Sequence, residues 1–138
     1  MFIDANVFIY SILNTEEKGD RCREILKRVE AGQLKVQTSP LVIDEVSWVV
    51  RKHTNVDTAI IAWEKLIRIP NLRILAIDDR VAMRVPEIMR NYRLKPRDAI
   101  YVATMIQHQI DKIVSDDPDF DKVQEITRVE LDEVMETS

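Results

Sequence analysis

At 138 residues, 46% of them hydrophobic and with only two glycines and five prolines, the chain has the size of one domain with its own core, and long flexible linkers or low-complexity segments are excluded. A net charge of -4 excludes a general nucleic-acid coat, which relies on many Lys and Arg contacts to phosphate, so a polyanionic partner would need a local basic rim or a bridging metal. Cys22 is the one cysteine, which excludes a disulfide framework, and Met1-Phe2-Ile3 meets Asp4 too soon for a signal peptide or membrane span; a cytoplasmic protein without membrane attachment is expected.

In chain order, Phe2-Ile3-Asp4-Ala5-Asn6 reads as a short apolar strand ending at an acid and running into a helix. Asp4 either caps that helix or serves a ligand at the strand's carboxyl end. The run from Val7 to Leu13 is apolar nearly all round and predicts a buried helix stopping near Asn14. A second helix opens at Glu16 and Glu17, carries Cys22, Ile25, Leu26 and Val29 on its inner stripe, and stops at Gly32. Cys22 fits that stripe as a small buried hydrophobe rather than a nucleophile.

Leu34 to Thr38 predicts a second strand, and Ser39-Pro40 a helix start with Ser as N-cap, continuing to about His53. On a helical wheel of about 100° per residue, Leu41, Val42, Val46, Trp48, Val49 and Val50 form the apolar arc, and Glu45 falls inside it while Asp44 does not. A buried carboxylate needs a partner, whether an Arg, a metal or a shared proton. Val56 to Ile69 repeats the amphipathic pattern, with Trp63 and Trp48 read as core. Leu72 to Ile77 predicts a third strand, followed by a helix capped by Asp78 and reaching about Met89, in which Pro86 predicts a kink or a late start.

Lys95-Pro96-Arg97-Asp98 opens a helix with Ala99, Val102, Ala103, Ile106 and Ile110 inward. Asp98 also faces inward, although an acid in a first turn can simply complement the helix dipole. His108 and His53 sit at polar positions and are unconvincing ligands. Lys112 to Ser115 predicts a fourth strand, followed at once by Asp116, Asp117, Asp119 and Asp121; one of these can cap a helix started by Pro118, and the rest repel one another unless cations are present. A short strand at 125–129 and a helix from about Glu130 complete residues 1–138 as one predicted domain.

Alternating strands and helices predict an α/β fold: a three-layer α/β/α sandwich with a mostly parallel central sheet. The strand ends share one edge, where Asp4, Ser115 and the acids after it can converge with Glu45 and Asp98 from helices starting there. Hard carboxylate oxygens without Cys or His suit Mg²⁺ or Mn²⁺ rather than Zn²⁺. Such ions orient water and stabilise in-line attack on phosphorus, which favours phosphodiester hydrolysis; no Ser-His pairing or glycine-rich phosphate loop is visible.

Phe2-Ile3-Asp4-Ala5-Asn6, Ser39-Pro40 through Glu45, Arg97-Asp98-Ala99-Ile100-Tyr101-Val102-Ala103 and Ile113-Val114-Ser115-Asp116-Asp117-Pro118-Asp119-Phe120 resemble the signature blocks of the PIN-domain nucleases, and among these the VapC-type ribonuclease toxins. The resemblance spans essentially the whole chain. It implies a metal-dependent endoribonuclease, commonly homodimeric, that is held inactive by a small cognate antitoxin. Asp4, Glu45, Asp98 and Asp117 match the family's acidic quartet, Ser115 its small hydroxyl residue and Asn6 the amide that follows the first aspartate. Asp116 and Asp119 are close enough to substitute for or supplement Asp117. Arg51, Lys52, Arg93, Lys95 and Arg97 are candidate contacts to RNA phosphates. Two alternatives stay open: a PIN-domain nuclease of RNA maturation or turnover, and a noncatalytic interaction module on the same scaffold.

Overall fold

The most apolar strand signals, Phe2-Ile3 and Ile113-Val114, mark the middle of the sheet. In a computed structural model of the chain, which describes residues 1–136, they belong to neighbouring strands β1 (Phe2–Ile3) and β4 (Lys112–Val114). With β2 (Val36–Thr38), β3 (Leu72–Ile74) and β5 (Thr127–Val129) they form a five-stranded sheet in the order β3-β2-β1-β4-β5. Every pairing is parallel, with Phe2 opposite both Gln37 and Ile113. Phe2, Ile3, Ile113 and Val114 are fully buried, as expected for central strands covered on both faces. The Thr38 hydroxyl donates to the Ile3 carbonyl at 3.2 Å, a side-chain tie between β2 and β1.

The helices are α1 (Ala5–Leu13), α2 (Glu17–Glu30), α3 (Pro40–His53), α4 (Val56–Leu66), α5 (Asp79–Tyr92), α6 (Pro96–Gln107) and α7 (Leu131–Glu136), with a 3-10 turn at Pro118–Lys122. They make the outer layers of an α/β/α sandwich. Helix α1 packs on α2 and α3, α3 on α4, α5 on α6, and α7 against α2. Cap chemistry sets the starts: Ser39 accepts from the Val42 amide, Asn55 from Thr58 and Asp78 from Val81. Helix α2 ends where Gly32 takes φ +77° and Gln33 N–H donates to the Arg28 carbonyl at 2.9 Å, and Asn71 Nδ2 caps the Val29 and Glu30 carbonyls from across the fold. Cys22 is buried in the core, and burial pushes its thiol up to about 11, so it is unreactive packing.

Several local expectations are corrected. Trp48 and Trp63 are not core: they are 53% and 36% exposed, because α3 buries Val42, Ile43, Val46 and Val50 while α4 buries only Ala59, Ala62 and Leu66. Helix α4 ends at Leu66, short of Ile69, and β3 covers three residues of the six expected, as suits an edge strand with solvent on one flank. Pro86 causes no late start: α5 runs through it from Asp79 to Tyr92. The inner face of α6 is Ala99 and Tyr101 to Met105, with Ile106 and Ile110 only half-buried. No helix among the described residues is long and apolar enough to cross a membrane.

Candidate active site

The order β3-β2-β1-β4-β5 contains a reversal. The chain moves outward from β1 through β2 to β3, then returns to lay β4 on the other side of β1, so the loops leaving β1 and β4 diverge. The crevice outside the carboxyl ends of two such strands is where open α/β sheets bind ligands. Asp4 directly follows β1 and Ser115 directly follows β4. Helix α3, entered straight from β2, carries Glu45 in its second turn, and α6 carries Asp98 in its first.

Asp4 is the N-cap of α1, as one reading of the sequence had it, and it also lies within reach of the charges of Glu45 and Asp98. Its Oδ1 accepts from Ala5 N–H at 2.8 Å, and its Oδ2 accepts from Ser115 Oγ at 2.6 Å and Asn6 Nδ2 at 3.2 Å. Ser115 Oγ in turn accepts from the Asp117 amide at 3.0 Å, and Asn6 Oδ1 from the Asp116 amide at 3.4 Å. This web sews the segment leaving β1 to the one leaving β4. Burial raises the Asp4 carboxyl to about 7; its hydrogen bonds from Ser115 and Ala5 oppose the rise, and the charges of Glu45 and Asp98 add to it.

Asp98, Asp117 and Asp119 each bring a carboxylate oxygen within 4.8 Å of the others. Burial, followed by the negative charges of Asp117 and Glu45, raises Asp98 to about 6, with Lys95 opposing. Glu45 is thus electrostatically coupled to both Asp4 and Asp98. The partner its wheel position demanded is present twice: Tyr101 OH donates to Oε1 at 2.8 Å, and Arg97 Nη1 lies 3.5 Å from the same oxygen. Asp117 also caps the 3-10 turn through the Asp119 amide at 2.9 Å, while Asp119 lies 3.5 Å from Lys122.

Asp116 stands apart. It is held by Lys18 Nζ at 2.9 Å and Tyr10 OH at 3.2 Å, which satisfies its charge away from the triad of aspartates. The donor set is therefore made only of carboxylate oxygens, mutually repelling in the absence of a cation, and a hard, oxygen-seeking divalent ion fits it. His53 Nδ1 is engaged with the Val49 carbonyl at 3.0 Å.

Of the basic candidates, Arg97 pairs with Glu45 and Lys95 acts on Asp98. Arg51 and Lys52 occupy the last turn of α3, Lys52 lying over the Trp48 ring at 5.7 Å, and Arg93 ends α5 with φ +55°. These three make no ion pair with the acids. Sequence reasoning missed Tyr101 and the Lys18-Tyr10 pair. Tyr101 is three residues after Asp98, a spacing that places two side chains on one helix face, and that signal was available. Lys18 and Tyr10 meet Asp116 only through the tertiary fold.

Residues 1–126 match the family model of the PIN domain. The chain is 25% identical to Ribonuclease VapC6 of Methanocaldococcus jannaschii, over 89% of its own length and 92% of that protein. It is 26% identical to Ribonuclease VapC2 of the same organism, over 95% and 93% of the two chains. Among solved structures, VapBC2 from Rickettsia felis bound to a promoter DNA fragment superposes with a TM-score of 0.73 at 13% identity, covering 94% of this chain and 96% of that one. VapC20 of Mycobacterium tuberculosis, described as a Sarcin-Ricin loop cleaving toxin, gives 0.69 at 18% identity over 87% and 92%. With a family match that takes in Asp4, Glu45, Asp98 and Asp117 alike, this chain belongs to the PIN-domain family.

Proposed function

We propose that the chain is a metal-dependent endoribonuclease, the toxin of a toxin-antitoxin pair, which hydrolyses RNA phosphodiester bonds with Mg²⁺ or Mn²⁺. The observation that carries this reading is the meeting of Asp98, Asp117 and Asp119 within 4.8 Å, coupled to Asp4 and Glu45, at the reversal of a parallel sheet. Relatives named as ribonucleases and a structural neighbour described as a toxin-antitoxin complex from Klebsiella pneumoniae support it.

Asp4, Glu45, Asp98 and Asp117 would hold the cation, with Asp119 beside them; when bound, such an ion would lower the pKa of a water and offset negative charge on the phosphate. Asn6 and Ser115 fix the rotamer of Asp4, so one oxygen geometry is kept ready rather than selected on binding. Asp4 and Asp98 must shed their protons to serve as ligands. Arg97 and Lys95 stand beside the acids, where they would receive RNA phosphates, and Arg51, Lys52 and Arg93 are further candidate phosphate contacts.

The partner in this reading is a small antitoxin protein. An apolar groove of about 610 Å³ between α1, α2 and α4, lined by Ile12, Leu26, Ile61, Leu66 and Ile69, has the character of a seat for an amphipathic helix. A homodimer belongs to the same proposal, and the exposed Trp48, Ile60 and Ile67 supply apolar surface for it. The test is cleavage of structured and single-stranded RNA with and without Mn²⁺ by the wild-type chain and Asp98→Asn. Metal-dependent cleavage lost in the variant is expected; equal activity of the two proteins defeats the proposed site.

A further inference from the structure

We infer that Tyr101 is a positioning residue for Glu45: its buried hydroxyl grips Oε1 and leaves Oε2 as the oxygen offered to a cation. The inference rests on the metal-site reading above and adds a residue to it.

Tyr101 is the largest fully buried side chain of the protein. Its ring is set against Phe2 of β1, with centroids 5.8 Å apart and planes at 42°, so the sheet itself fixes where the hydroxyl sits. Two acceptors lie within reach, Glu45 Oε1 at 2.8 Å and the Leu41 carbonyl at 3.4 Å. A phenol has one proton to give, and the nearer, charged acceptor takes it. Burial, together with the Glu45 charge, holds the phenol far above its ordinary range, so it remains a donor.

The two partners of Glu45 are unequal. Arg97 is 46% exposed, on a long flexible side chain, and approaches only to 3.5 Å. Tyr101 is rigid, dry and closer. Both contacts fall on Oε1, and Oε2 makes no hydrogen bond to the described residues. A glutamate has three side-chain torsions to freeze on binding a ligand, and anchoring one oxygen to a fixed ring removes most of that entropy cost beforehand. Because Tyr101 shares a helix face with Asp98, α6 both presents an acid and clamps the acid presented by α3.

The test is a double-mutant cycle read by Mn²⁺ calorimetry on the full chain: wild type, Tyr101→Phe, Glu45→Gln and the double variant. Phe keeps the ring packing, and the Mn²⁺-induced rise in Tm is recorded as a second readout that is insensitive to a lowered baseline stability. Tyr101→Phe is expected to weaken Mn²⁺ about 10-fold, the usual effect of removing a group that orients a ligand. In the Glu45→Gln background the same change is expected to have no further effect. A merely structural role for Tyr101 would lower Tm and leave the Mn²⁺ affinity alone. That result, or an equal loss in both backgrounds, overturns the positioning role while the metal site stands. Absence of Mn²⁺ binding by the wild-type chain overturns both.

Discussion

Ser115 Oγ donates to Asp4 Oδ2 at 2.6 Å, across 111 residues of sequence, and accepts from the Asp117 amide on its other side. One hydroxyl thus orders two of the proposed ligands. Ser115→Ala leaves Asp4 Oδ2 with only the longer contact from Asn6, at 3.2 Å. Removing this hydrogen bond is expected to cost on the order of 1 kcal/mol of stability and to weaken Mn²⁺ binding by roughly 10-fold. Thermal melts and calorimetry on the same variant check the two effects separately.

The pH dependence follows from two carboxyls that burial raises, Asp4 to about 7 and Asp98 to about 6, from an ordinary 3.8. Between the unfolded and folded values the folded chain holds more protons than the unfolded one, so these groups make the metal-free protein less stable as pH climbs from about 4 to about 7. Mn²⁺ binding runs the opposite way, strengthening through pH 6 to 7 as the ligands lose their protons. Melting curves and calorimetry at pH 5, 6, 7 and 8 are expected to cross: Tm falling without metal, affinity rising with it. A flat affinity across that range counts against Asp4 and Asp98 as ligands.

Asp116 and Asp117 are adjacent in sequence but differ in what holds them. Asp116→Asn gives up the ion pair to Lys18, 45% and 38% exposed on its two sides, and exposed pairs are worth about 0–1 kcal/mol, so near-normal activity and stability are expected. Asp117→Asn is expected to lower kcat on the order of 100-fold, since it touches the proposed metal cluster directly. A single-turnover RNA cleavage assay separates them, and a larger loss from Asp116→Asn would reassign the last ligand.

Gly19 lies where α2 passes the end of α1. A Cβ there would sit 2.0 Å from the Asn14 carbonyl oxygen and 2.7 Å from its carbon, both backbone atoms that cannot swing aside. Gly19→Ala is expected to destabilise the chain by about 1–3 kcal/mol as the two helices are forced apart, read as a drop in denaturation midpoint with the urea m-value unchanged.

The alternation of strands and helices, the caps at Ser39 and Asp78, and the convergence of the acids were readable because each rests on a local rule: period, cap chemistry, or position at a strand end. Glu45 is the clearest case, since its inward wheel position predicted a partner and Tyr101 and Arg97 supply it. What stayed hidden depends on packing between elements. Trp48 and Trp63 look like core in sequence, but how far α4 is covered is decided by its neighbours, and these leave that face to solvent. The separation of Asp116 from Asp117 and Asp119 likewise turns on Lys18 and Tyr10, about a hundred residues away.

The place of β4 beside β1 carries a consequence for biosynthesis. A ribosome that has delivered Asp4, Glu45 and Asp98 has still not released the strand against which the first one registers, nor Ser115 and Asp117 beyond it. The acids gather only after β4 and the segment through Asp117 have emerged, so fragments of the proposed nuclease that stop before β4 are expected to be harmless to the cell that makes them.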